Sequence, residues 1–310
     1  MNRTRHLSIA AVLVVVTTAV MYLLISGQFI GFGLLQLPAP AAEEAAIIDS
    51  LMQGHMILMA FLFAVIMAPA SYAIIVFRRQ EGDDEDAEHI HGNTTVEIIW
   101  TVVPIILVII FAVWGVYAYT DVIASEEGER HVLAQGYKWD WNFYYPEYDN
   151  RFDSSLVVEV NQPVFIEMQS SDVIHAFWVP SFRVKQDVAP YNTSVAEFNF
   201  ASGMYDREAA REAGYISQEI RFTPTKEGVY RLRCAEICGT NHYAMLAHVH
   251  VLSAADYQAW VAGELTLPSD PNQTNVQQRN ADGSESEVFF LSELEEYCVS
   301  KYGSENCEIE

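Results

Sequence analysis

Apolar and polar positions alternate on two very different scales along this chain. Three long stretches, residues 7–26, 51–77 and 98–120, carry no formal charge at all. Each meets the ~20-residue length that a helix needs to cross a bilayer core. A buried helix of a soluble core is the rival reading, and it suits runs of about 10–14 residues better. Pro69 and Pro104 interrupt the second and third stretches. Membrane helices tolerate such prolines when another group takes up the freed carbonyl. The first stretch follows Arg3 and Arg5 and reads as a signal segment or an uncleaved helix. It is longer than a usual signal core and no small-x-small cleavage site follows, so retention is expected.

Lys and Arg in the short loops set the sidedness. Arg3 and Arg5 precede the first stretch, residues 27–50 carry neither, and Arg78 and Arg79 follow the second. The N-terminus and the loop after residue 77 therefore belong in the cytoplasm, and Asp121 onwards lies outside. The acidic run 81–88 counts little in this rule.

From about residue 129 to 252 the pattern shortens to β-rich runs separated by turn residues. Strands are predicted at 131–135, 155–160, 164–169, 196–200, 219–223, 228–234 and 246–252. In the sixth of these, Tyr230, Leu232 and Cys234 share one face, while Arg231 and Arg233 take the other. Many short strands without long helices between them predict an antiparallel sandwich or barrel. A small helix is predicted at 207–213 behind Asp206, and a closing helix at 254–262 capped by Ser253. Residues 263–310, polar, acidic and rich in Ser, Gly and Asn, are expected to form a flexible tail. Cys298 and Cys307 lie in it, on the oxidising side, as a plausible disulfide or as two free thiols.

The expected organisation is an N-terminal signal or additional transmembrane helix (1–27), an exterior loop (28–50) and a transmembrane helix (51–77). A cytoplasmic acidic loop (78–97), a second transmembrane helix (98–120), a β-sandwich domain (121–262) and the acidic tail (263–310) complete it. Charge changes the picture in one respect. With 17 Lys and Arg against 41 Asp and Glu, the formal charge of −24 excludes a nucleic-acid binder that relies on a basic surface. It favours cationic partners, steered by a field that salt weakens. Asp172 is one candidate for that steering.

The chemistry is concentrated between Cys234 and Met245, in the run Cys-Ala-Glu-Ile-Cys-Gly-Thr-Asn-His-Tyr-Ala-Met. Thiolate, thioether and imidazole together select copper over magnesium or calcium. One Cys with His and Met would suit a single copper, whereas a second thiolate lets two ions share a sulfur pair. Such a site needs a further ligand, and His175 is the candidate, because it interrupts the apolar run 172–180. Zinc rarely uses Met. A redox disulfide between Cys234 and Cys238 would leave His242 and Met245 without a role. No nucleophile–base pair or phosphate loop is present, so no bond-making chemistry is expected of this chain alone.

The segment resembles the copper-A motif C-x-E-x-C-x3-H-x2-M of cytochrome c oxidase subunit II, and the similarity runs from about residue 45 to 262. The resemblance implies a cupredoxin-like sandwich anchored by two transmembrane helices. It implies a binuclear copper centre bridged by Cys234 and Cys238. His175 with the Glu236 carbonyl would complete one ion, and His242 with Met245 the other. Trp139, in the aromatic run 139–145, matches the family position that accepts electrons from cytochrome c. Glu97 matches a proton-channel entrance, and Glu236 and Asp187 match residues at a magnesium ion shared with subunit I. His248, His250, His89 and His91 are read as structural or solvated.

The implied function is electron intake from cytochrome c, or from a small copper protein, for oxygen reduction and proton translocation. The resemblance implies that haem would be held by subunit I, and none by this chain. The copper-A subunit of a nitric oxide reductase and a membrane-tethered copper-delivery protein are the alternatives. An insertion near 202–216 and the long tail depart from the simplest members of that family.

Overall fold

A computed structural model describes residues 3–26, 37–79, 81–82, 91–190, 218–268 and 291–307. The chain forms two compact units, one of residues 1–37 and 48–120, the other of residues 38–47 and 121–310.

The first unit is built from three apolar helices, α1 (Arg3–Ser26), α2 (Glu43–Val76) and α3 (Thr94–Val122), each long enough to cross a membrane. Ala60 and Ala64 are fully covered, one helical turn apart on α2. Small side chains let helix backbones approach in lipid, where packing replaces hydrophobic driving force. Gly54 serves the same end: a Cβ there would lie 2.4 Å from the Trp114 indole of α3. Asn93 caps α3, its Oδ1 accepting the Thr95 and Val96 amides at 3.1 and 3.3 Å. α2 begins well before the apolar stretch, because its Ala- and Glu-rich first turns continue the helix with acids at the positive end of the dipole.

The second unit is a sandwich of two five-stranded sheets. One sheet has the order β3-β2-β1-β5-β8 and the other β4-β10-β9-β6-β7. Its strands are β1 (Arg130–Tyr137), β2 (Asp140–Tyr145), β3 (Arg151–Asp153), β4 (Leu156–Glu159) and β5 (Val164–Ser170). β6 (His175–Val179), β7 (Val184–Val188), β8 (Gln218–Phe222), β9 (Gly228–Cys234) and β10 (Leu246–Leu252) complete it. Most pairs are antiparallel, but β1 pairs with β5, and β4 with β10, in parallel. The antiparallel expectation is corrected there, since alternation along one strand says nothing about its neighbour's direction. Tyr230, Leu232 and Cys234 face the shared core, with Trp141, Phe143, Phe177 and Met245.

Four strands escape sequence reading for identifiable reasons. β2 and β6 are buried on both faces and lose the alternating signature. β3 has only three residues, and β7 carries Lys185, Gln186 and Asp187 along an outer strand. The predicted strand 196–200 and helix 207–213 lie outside the described residues. Helix α4 (Ala254–Val261) closes the sandwich, with Ser253 Oγ accepting the Asp256 amide at 3.2 Å. Residues 38–47 also belong to this unit. Ala42 bridges to Pro224, and the Glu44 carboxylate accepts the Thr223 amide.

The tail requires a second correction. Helix α5 (Leu291–Tyr302) forms within it, and Cys298 is disulfide-bonded to Cys307. Val229 of β9 is buried against Cys298, with Tyr302 and Cys307 alongside. The cross-link shortens the span to be ordered, and Val229 supplies the apolar contact that composition alone did not reveal.

Candidate metal centre

β9 ends at Cys234, and the chain then turns through residues 235–241 into a short 3-10 turn at His242–Ala244 before β10. The loop is held from below: the Ala235 amide donates to the Ala176 carbonyl at 3.1 Å, and the Cys234 amide to the Met245 carbonyl at 3.1 Å. β6 pairs with β9, and this pairing brings His175, at the start of β6, beneath the loop.

The donors gather closely around the two sulfurs. His175 Nδ1 lies 3.8 Å from Cys234 Sγ, and the two Sγ atoms are 3.8 Å apart. Cys238 Sγ lies 3.5 Å from His242 Nδ1. The Glu236 carbonyl oxygen is 3.3 Å from Cys234 Sγ, and Met245 Sδ is 3.7 Å from Cys238 Sγ. His175 and Met245 are fully buried and both thiols nearly so. The two cysteines are free thiols, not a disulfide.

His175, Cys234 and Cys238 alone form a cluster of three or more His, Cys, Asp or Glu ligand atoms among the described residues. Two central sulfurs flanked by nitrogen donors, with a thioether and a carbonyl beside them, fit soft copper chemistry. They fit poorly with magnesium or calcium, which take hard oxygen ligands.

The electrostatics are those of a site built to hold thiolate. Burial opposes the Cys234 thiolate, but its contacts with His175 and the nearby backbone outweigh it and bring its pKa down. Burial and the charge on Cys234 push Cys238 up. Burial disfavours protonated His175, but contact with Cys234 and Asp172 prevails and raises its pKa.

The remaining sequence-predicted residues fall in three places. Trp139 is half-buried beside this loop: a Cβ on Gly239 would meet its indole at 3.3 Å. Gly239 itself has φ +124°, so glycine is needed there for backbone and for space. Asp187 lies on β7 opposite Ala176, whose carbonyl receives the Ala235 amide next to Glu236. These two acids gather no third ligand among the described residues, so they do not by themselves fit a magnesium ion. Glu97, on α3, accepts the Asn93 amide at 3.2 Å and so closes the helix cap.

Sequence reading missed the inward role of Asp172, which accepts from His175 Nε2 at 2.8 Å. An Asp three residues before a candidate ligand His was the available signal. His250, read as structural, is fully buried in β10 with neither ring nitrogen hydrogen-bonded.

A β-sandwich with a soft-ligand cluster at one end, in a chain with helices long enough to span a bilayer, defines a membrane-bound protein of cupredoxin type. Residues 30–117 match the family described as "Cytochrome C oxidase subunit II, transmembrane domain", and residues 150–205 match "Cytochrome C oxidase subunit II, periplasmic domain". The chain is thus similar to cytochrome c oxidase subunit II over both stretches. The ligand loop 234–245 lies beyond the second match, so its role is argued from its geometry.

A cytochrome c oxidase subunit 2 of Alkalihalophilus pseudofirmus is 29% identical over 77% of this chain and 65% of its own length. That of Synechocystis is 26% identical over 76% and 77%, and that of Bacillus subtilis 32% over 61% and 51%. The chain thus spans about half to three quarters of the curated relatives it matches. A solved periplasmic domain of cytochrome oxidase subunit II from Bradyrhizobium japonicum covers 46% of this chain and 96% of its own, at 23% identity and TM-score 0.36.

Proposed function

We propose that this chain is the electron-accepting subunit of a haem–copper oxygen reductase. Its copper pair would be held by Cys234, Cys238, His175, His242, Met245 and the Glu236 carbonyl. The observation that carries this reading is the order of donors, nitrogen–sulfur–sulfur–nitrogen, at successive separations of 3.8, 3.8 and 3.5 Å. When bound, the copper pair supplies a site that takes up and returns one electron with little change in bond length.

The chain's own residues do the rest. The paired β9 and β6 hold Cys234 and His175, and the loop tied to β6 through the Ala235 amide carries Cys238. Buried Met245 and the surrounding core exclude water from the sulfurs. Trp139, packed on Gly239 next to Cys238, is the proposed point of electron intake from an exterior donor, cytochrome c or a small copper protein. Electrons would pass on to haem in a partner subunit I, where oxygen reduction and proton translocation belong. The copper domain would face the cell exterior or periplasm. In this reading Glu97 lies at the cytoplasmic end of α3, the side from which protons would be drawn. Any magnesium near Asp187 and Glu236 would need ligands from that partner.

Metal analysis of the full chain in detergent tests the reading. Two copper ions per chain, tightly held and with a mixed-valence EPR signal, are expected. A single ion, a colourless zinc, or rapid loss to a mild chelator would overturn it. Haem content and turnover with oxygen against nitric oxide, measured on the purified complex, separate an oxygen reductase from a nitric oxide reductase.

A further inference from the structure

The turn before β6 places one carboxylate between the ligand His175 and the segment that carries Trp139. Asp172 Oδ1 accepts from His175 Nε2 at 2.8 Å and from the Val173 amide at 2.6 Å. Its Oδ2 accepts the Lys138 amide at 2.8 Å. Lys138 immediately precedes Trp139, whose indole rests on Gly239 of the ligand loop. Ser170 Oγ supports the turn, receiving the Asp172 amide at 3.2 Å and donating to the Val173 carbonyl. His175 is fully buried, while the Asp172 side chain keeps 29% of its surface exposed.

This arrangement has a chemical consequence for His175. A carboxylate accepts a hydrogen bond and donates none, so the imidazole proton is held on Nε2. Nδ1 is left with its lone pair on the side of Cys234 Sγ, 3.8 Å away. Partners of this kind fix the tautomer and ring orientation of a metal-ligating histidine and raise its basicity. The same carboxylate, through its other oxygen, fixes the backbone just before Trp139.

We propose that Asp172 is a positioning residue, a single-carboxylate tie that sets the His175 ligand and registers Trp139 against the ligand loop. This rests on the copper reading above and adds a role for an acid that a surface description would assign to donor attraction alone. Loss of the tie acts at both ends: on metal affinity and reduction potential through His175, and on electron intake through Trp139.

The test is Asp172→Asn in the intact complex, with the unaltered protein beside it. Copper affinity by chelator competition is expected to fall about 10- to 100-fold, the range for lost partners of metal-bound histidines. With copper saturating, the reduction potential should rise, because the less basic imidazole stabilises the oxidised centre less. Electron intake should slow at high salt as well as low. Unchanged affinity and potential, with a defect that disappears at high salt, would overturn the tie and leave Asp172 a docking charge. Fewer than two coppers in the unaltered protein would instead sink the copper reading, so the two failures are distinguishable.

Discussion

Acidification is expected to loosen helix α5 from the sandwich, and the group responsible is His250. This residue pairs with Val229 across β10 and β9, so the two side chains share the outer face of the second sheet. Val229 is covered by Cys298 with Tyr302 and Cys307 beside it. His250 is fully buried, and neither ring nitrogen has a hydrogen-bond partner. The charged and titratable groups acting on it are His248 on the same strand face and Lys301 of α5, with Arg231 opposite His248 and Tyr302 packed beside the neighbouring Val229. The nearest acid of α4, Asp256, is engaged by Lys301 at 2.9 Å.

Burial, then the charges of His248 and Lys301, lower the His250 pKa to about 3. The sign follows directly. A histidine whose folded pKa lies below its free value of about 6.5 stabilises the closed form fully only above that pH. The stability is lost as pH falls below about 6.5, because the opened form takes a proton that the closed form refuses. At pH 5 the opening constant is then about 30-fold larger than at pH 8, or about 2 kcal/mol. The Asp256–Lys301 pair does not add to this window, since contact with Lys301 holds the Asp256 carboxyl below its usual range.

Hydrogen–deuterium exchange of the full chain in detergent reads the effect, with rates corrected for intrinsic chemistry. Amides of residues 291–302 should lose protection on going from pH 8 to pH 5, relative to those of α4. In His250→Phe that difference should disappear. Equal relative protection of α5 at both pH values, or a pH dependence that survives His250→Phe, would refute the reasoning.

Two further outcomes follow from packing at the other functional elements. Trp139→Gln should slow electron intake while leaving copper content and spectrum intact, as read by stopped-flow reduction beside EPR; an unchanged rate would remove Trp139 from the path. Gly54→Leu should separate α2 from α3, because the Trp114 indole lies 2.4 Å from the added Cβ. A thermal-aggregation midpoint in detergent lowered by several degrees is expected, overpacking of this kind costing about 1–3 kcal/mol, and an unchanged midpoint would mean that the helices do not meet there.

The helices long enough to span a membrane were legible because charge-free length is a one-dimensional property of a chain. The candidate ligand loop was legible for a similar reason: Cys234, Cys238, His242 and Met245 are close in sequence, and the softness of the sulfur donors is a property of their atoms. Strands exposed on one face, such as β9, announced themselves by alternation, whereas β2 and β6 did not, being buried on both.

Tertiary structure alone decided what distant segments do to one another. His175 joins the cysteines because β6 pairs with β9 across about 60 residues of chain. Asp172 turns inward because the turn before β6 meets the amide of Lys138 at the end of β1. The tail is not simply loose, because Val229 lies uncovered on the sheet until α5 and its disulfide reach it. Local composition records the tendencies of a segment, but contacts between segments far apart are made only when the backbone ladders bring them together.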